Sequence, residues 1–300
     1  MRRAASPGRT QPPQLSASPA HAPALALHAD PVIERALGYP YRAPDHAYLF
    51  WQGRTFPLPE DDAITHPDEA LTRLLADDML PAPLMAILRR DQDEGLAGMK
   101  RRHPVIACGS NRAPERLAQK YGSTLPDAVI PVTRITLRDH AVCYAATVTA
   151  YGAIPATIVP WPEARAELMV TWLTDRQLAI MNETEDLGVV YALEPMPAEA
   201  VSCRDIPFLH YRAIPGLFRD GDGAPVALAA VPQALPGNLR IRQEEEVLHS
   251  LHLLCRQDAK LAGETPDAFC AFVHRLVADA GFRQNVMAWL AARAEKPFGS

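Results

Sequence analysis

A short apolar run at Val105, Ile106 and Ala107 breaks at Gly109-Ser110-Asn111 and gives way to a helix-forming stretch that reaches Tyr121. Pro114 fits the first helical position and Glu115 the first turn, so the loop is expected to end at a helix N-terminus. Strand-like runs follow at 128–137 and 141–148, separated by the turn-like Arg138-Asp139-His140, with a further extended piece at 156–159. Leu173-Thr174-Asp175-Arg176-Gln177-Leu178 holds a capping box (Thr174 with Gln177) and a hydrophobic staple (Leu173 with Leu178), which starts a helix at Asp175. That helix is expected to end near Leu187-Gly188, with glycine as its C-cap, before a strand over 189–193.

The flanks have a different character. A strand pair is expected within 47–58, turning at Gln52-Gly53. Thr65 can cap a helix over 67–78 that buries Leu71, Leu74 and Leu75, and Pro83 opens another that buries Leu84, Ile87 and Leu88. The mixed-charge run 89–102 reads as a solvated helix end leading into a linker. Beyond Pro236-Gly237 the pattern is helical: 243–258 with Val247, Leu251 and Leu254 on one face, a helix opened by Thr265-Pro266 and ended by Gly281, and a short third helix with Val286, Met287 and Leu290. Residues 1 to about 26 are rich in Pro, Ala and Ser and read as a disordered tail. The expected division is therefore a tail (1–26), an N-terminal extension (27–103), a central domain (104–235) and a C-terminal helical segment (236–300).

Composition adds mainly exclusions. Hydrophobic residues make up 48% of 300, ample for a core, and 30 basic against 35 acidic residues give no support for a nucleic-acid surface. Five cysteines without C-x-x-C spacing indicate neither a disulfide framework nor a zinc ribbon and read as reduced thiols of a cytoplasmic protein. No apolar run approaches the roughly 20 residues of a membrane span, so no membrane partner is expected. His249 and His252 lack a third ligand, so no metal is assigned. His140 and His210 have no visible triad partner, and no phosphate-binding glycine motif follows a strand.

Two places carry candidate chemistry. Free N–H groups around Gly109, Ser110 and Asn111 would favour a carboxylate or an oxyanion, and Cys108 beside them reads as a small buried residue rather than a nucleophile. Glu183, Glu185 and Asp186 crowd one helix C-terminus, where negative charge is unfavourable. Either the cluster is a solvated helix end, or one carboxylate turns into a site as an acid/base.

The order of these features resembles the γ-glutamylcyclotransferase family. Ala107-Cys108-Gly109-Ser110-Asn111 is similar to that family's Tyr-Gly-Ser-Asn loop, and Gly152 to Ile158 to its Gly-x-Ala-Thr-Ile strand. Met181 to Asp186 is similar to its Leu-Asp-x-x-Glu-Gly helix end, with Cys108 where the family has Tyr and Asp186 where it has Gly. The resemblance runs from about 105 to 193 and more weakly to 232. It implies an α+β fold, a small mixed β-barrel-like sheet with flanking helices, to which this chain adds an N-terminal α/β extension and a C-terminal helical extension. It implies cleavage of a γ-glutamyl amide by its own α-amine, giving 5-oxoproline and a free amine without metal or cofactor. In that reading Glu185 is the general acid/base, with Glu183 in reserve, and Cys108, Gly109, Ser110, Asn111 and Tyr191 bind substrate. The alternatives are a non-catalytic binding module, or the same fold acting on another amide or acyl substrate; a homo-oligomer is possible in each case.

Overall fold

A computed structural model describes residues 30–59, 67–76, 80–93, 102–237 and 239–294. The expected tail and Thr65 lie outside them. The central element is a long antiparallel pair, β4 (Val129–Tyr144) and β5 (Ala156–Leu173). Where two strands and a turn are expected at Arg138-Asp139-His140, one strand of sixteen residues continues through a register shift between Arg138 and His140. Asp139 takes a left-handed φ of 55° there, and its carboxylate accepts the Glu163 N–H at 2.8 Å. The local bend is thereby absorbed inside the ladder as a bulge.

β3 (His103–Ala107) lies between β5 and β7 (Leu209–Ala213), which pairs in turn with β6 (Tyr191–Pro195). On the other side β4 meets β8 (Val226–Leu228), and β8 meets β10 (Arg240–Arg242). β9 (Gln233–Ala234) pairs with β5. β1 (Tyr48–Trp51) turns at Gln52-Gly53, both at positive φ, into β2 (Arg54–Pro57), and β1 adds to β4, so the N-terminal segment enters the central sheet. The resulting ten-stranded sheet runs β10-β8-β4-β5-β3-β7-β6 with β1, β2 and β9 off that path. A barrel requires its edge strands to pair. Here no ladder among the described residues joins the short edges β6 and β10, so the sheet is open and the barrel-like expectation is corrected.

Helices cover this sheet. α1 (Pro31–Leu37) is capped by the Asp30 carboxylate, and α2 (Pro67–Ala76) and α3 (Ala82–Asp93) bury Leu71, Leu74, Leu84 and Leu88. Arg102, expected in a linker, is buried instead and donates to the carbonyls of Val129 and Trp172 at 3.0 and 3.1 Å. α4 (Pro114–Tyr121) begins at proline as expected, after a 3-10 turn over Ser110–Arg112. α5 (Asp175–Thr184) carries the expected capping box, with the Gln177 N–H on Thr174 Oγ1 at 3.3 Å and the Thr174 N–H on Gln177 Oε1 at 3.0 Å. α6 (Glu244–Gln257), α7 (Phe269–Ala278) and α8 (Ala280–Arg293) form the C-terminal layer. Gly281 does not end a helix; Asp279 ends α7 and caps α8 by accepting the Phe282 N–H at 2.9 Å. His249 and His252 stack on Phe269 and Phe272, with ring centroids 3.6 and 4.8 Å apart.

One apolar core joins Ile33 of α1, Leu84 of α3, Ile106 and Tyr144 of the sheet, and Val247, Phe272 and Val286 of the C-terminal layer. Full burial of such side chains contributes about 1.5–3 kcal/mol each. A second cluster packs Leu117 and Tyr121 of α4 against Met181 of α5 and Tyr191 and Tyr211 of the sheet, which fixes α4 and α5 side by side. No described helix is long and apolar enough to cross a membrane.

Candidate active site

β3 delivers the loop from the middle of the sheet, flanked on both sides by hydrogen-bonded strands. At its end Cys108 is buried, and burial pushes its thiol up to about 12, so it remains protonated near neutrality. Gly109 follows with a negative φ, so conformation alone does not demand glycine. Proximity does. A Cβ at this position would overlap the Tyr39 hydroxyl and lie 3.2 Å from Tyr39 Cζ. Tyr39 is itself fixed, because its hydroxyl accepts the Ala156 N–H at 2.7 Å. The N–H groups of Gly109, Ser110 and Asn111 have no intramolecular acceptor among the described residues.

Across the loop stands the end of α5. Glu185 is its C-cap residue, and its N–H bonds the carbonyls of Met181 and Asn182 at 3.1 and 3.3 Å. The chain then reverses through Asp186 at a φ of 48°, rather than through Gly188 alone as expected. Asp tolerates this left-handed conformation better than most residues. Of the three carboxylates at this end, Glu183 and Asp186 are exposed and Glu185 is partly buried, so it is Glu185 that reaches the loop.

Glu185 Oε1 accepts from Asn111 Nδ2 at 3.2 Å and forms a short ion pair with Lys120 Nζ. Lys120 also donates to Thr184 Oγ1 at 2.6 Å and touches Met181 Sδ at 3.2 Å. The Lys120 side chain is 1% exposed and that of Glu185 15%, so this pair is shielded from bulk water. Burial lowers the Lys120 pKa, and the charge of Glu185 works in the opposite direction. Glu185 Oε2 has no protein partner among the described residues, and Asn111 Oδ1 is a buried acceptor without one.

Both residues line a cavity of about 540 Å³. Cys108, Gly109, Ser110 and Tyr191 line it as well, so every residue that sequence reasoning placed in the site borders one space. Tyr191 is oriented by donation from its hydroxyl to the Ala156 carbonyl at 3.1 Å and by edge-on contact with Tyr211, centroids 6.3 Å apart. Tyr211 donates to Asn182 Oδ1 at 2.6 Å, which gives Asn182 an anchoring role. Burial raises Tyr39 and Tyr191 well above 10.0, so both remain neutral phenols.

Several contributors were not foreseen. Lys120 reads in sequence as one more charge at a helix end. Arg35 belongs to α1, Tyr39 to the turn that follows it, Tyr151 to the loop between β4 and β5, and Arg283 to α8, all lining the same cavity. No local signal marks them, because their relevance arises only when distant segments pack together.

No family model matches the chain, and no curated protein matches it. Among solved structures, a gamma-glutamyl cyclotransferase is similar at 14% identity, covering 63% of this chain and 99% of its own, with a TM-score of 0.31. An uncharacterized protein from Homo sapiens is also similar at 14% identity, covering 67% of this chain and 92% of its own, with a TM-score of 0.32.

Proposed function

We propose that the cavity is the active site of a γ-glutamylcyclotransferase-like enzyme. The observation that carries this reading is the pair of acceptors, Glu185 Oε2 and Asn111 Oδ1, left unpaired beside a loop of unpaired N–H groups. Acceptors suit an ammonium; N–H donors suit a carbonyl that becomes an oxyanion. A γ-glutamyl amide presents both within one molecule.

In this reading the substrate's α-ammonium gives a proton to Glu185 Oε2, and the freed amine attacks its own γ-carbonyl carbon. The new N–C bond closes a five-membered ring, and the negative oxygen of the tetrahedral intermediate is held by N–H groups of Gly109 to Asn111. The bond to the outer nitrogen then breaks as Glu185 returns the proton to it, and the ring nitrogen, which still carries two protons after the attack, gives one of them through Glu185 to the departing amine, leaving the lactam N–H and an ammonium. The products are 5-oxoproline and a free amine. Nucleophile and electrophile are tethered, so the protein has mainly to hold a folded-back conformer and relay protons from the attacking to the leaving nitrogen. Lys120, behind Glu185, is a positioning residue that fixes the carboxylate's orientation.

The test is incubation of the protein with γ-glutamyl peptides and amines while 5-oxoproline and free amine are both measured. Equimolar release of the two supports the reading. Absence of turnover across the panel transfers the site to the binding-module alternative or to a different acyl substrate.

A further inference from the structure

The cavity has a positively charged side that the cyclisation does not use. Arg35 of α1, Arg116 of α4 and Arg283 of α8 line it, one from each of the three segments of the chain. Arg35 and Arg116 both lie over the Tyr151 ring, 5.3 and 5.6 Å from its centroid. Tyr151 and Ser110 line the same cavity, which places this side of it beside the loop. Arg283 is held by donation to the terminal carbonyls of α7, Leu276 at 2.6 Å and Val277 at 3.2 Å. Arg116 donates to Gln119 Oε1 at 3.2 Å, while its Nε is buried without a partner.

None of these three guanidiniums has a carboxylate at ion-pair distance among the described residues. The lining contains two acids. Glu185 is already matched by Lys120 behind it, which leaves Asp186 alone against three arginines. Two guanidiniums over one ring repel each other, and an anion placed between them reverses the sign of that interaction. Their planar donor forks fit carboxylate and phosphate oxygens in pairs.

We infer that Arg35, Arg116 and Arg283 form a subsite for a doubly charged anionic group, a phosphomonoester or a dicarboxylate, on the amine side of the scissile amide. The bond that is cut rests on the function proposed above; the anion subsite rests on the arginines alone. Two of the three arginines come from the flanking extensions, so those segments determine which amine is accepted.

Two measurements separate the claims. The first is calorimetric titration of the full-length protein with inorganic phosphate and with succinate, for wild type, Arg35→Gln and Arg283→Gln. Arg35 is exposed, so its replacement removes no buried hydrogen bond. Wild type is expected to bind at least one of the two anions about tenfold more tightly than either variant. Equal binding by all three proteins, or none, overturns the subsite. The second is turnover of γ-glutamyl-ethylamine, γ-glutamyl-aspartate and γ-glutamyl-O-phosphoethanolamine. A kcat/KM at least about tenfold higher for one of the charged amides, with Arg35→Gln lowering that value more than it lowers the neutral amide's, is the expected result. The preferred charged amide distinguishes phosphate from dicarboxylate. Turnover indifferent to charge overturns the subsite, whereas arginine-dependent anion binding without any turnover overturns the reaction and leaves the subsite standing.

Discussion

Glu185 is held from two sides, by Asn111 of the loop and by Lys120 of α4, and both hold the same oxygen. The arrangement leaves the other oxygen without a protein partner among the described residues. Removing Lys120 leaves a mostly buried carboxylate without its cation, at a cost of about 3 kcal/mol. Lys120→Met is therefore expected to lower the denaturation midpoint and to reduce kcat more than it raises KM, with Lys120→Arg restoring part of both. A Lys120→Met enzyme with wild-type kcat would remove Lys120 from the account. Cys108 leads to the opposite expectation, since a thiol pushed up to about 12 by burial supplies negligible thiolate near neutrality. Cys108→Ala should retain kcat within about threefold and show the same iodoacetamide sensitivity of activity as wild type. Gly109→Ala should lose turnover through overlap with the Tyr39 hydroxyl, and Tyr39→Phe in the same chain should recover part of it. A strictly additive double variant would show that this contact is not the cause.

At the scale of elements, what was legible in sequence depended on how far apart the interacting residues lie. The start of α5 was readable because Thr174 and Gln177 are three residues apart and satisfy each other. Its end was only half readable: Gly188 does adopt a positive φ, yet the first left-handed residue is Asp186, the position where the resembling motif carries glycine. The Arg138-Asp139-His140 bulge reads in sequence as a turn because its pairing partners in β5, Arg165 for Arg138 and Pro160 for His140, are distant along the chain. Asp279 capping α8 was hidden by the stronger stop signal of Gly281. α6 shows a long-range link of the same kind. Glu244 at its first turn is fully buried and accepts the Ile154 N–H at 2.7 Å, so it fastens the C-terminal layer to the segment carrying Tyr151. Burial raises its pKa well above 4.5, so above that pH the folded protein retains a proton that the unfolded chain releases. The contribution is complete below the unfolded value and is lost as pH rises towards the folded one. Thermal melts of Glu244→Gln should therefore gain on wild type as pH increases from about 4 to about 8. A Glu244→Gln midpoint that falls relative to wild type over that range would contradict the assignment.

Across the whole molecule, the loop and Glu185, which the family resemblance marked in sequence as two halves of a site, border one cavity, because each sits in a compact run that a short motif can match. The flanking segments showed no such run, and their part comes from packing: α1 supplies Arg35, the turn after it Tyr39, and α8 Arg283, to a cavity also lined by Ile106, Ala156 and Tyr191 of the sheet. The apolar core is shared in the same way, from Ile33 to Leu84 to Phe272 and Val286. Residues 104–235 expressed alone are thus expected to lack a cooperative thermal transition, since their buried face would lose both covering layers. A sharp transition for that fragment would show that the central segment is independently stable.

The most direct test of the central claim is the rate of 5-oxoproline release by wild type and Glu185→Gln on the best γ-glutamyl amide. Glutamine keeps the side chain's shape and its hydrogen bond to Lys120 but cannot carry the proton. A fall in kcat of about 10²–10⁴-fold with little change in KM is the predicted result. Equal turnover by the two proteins would contradict it.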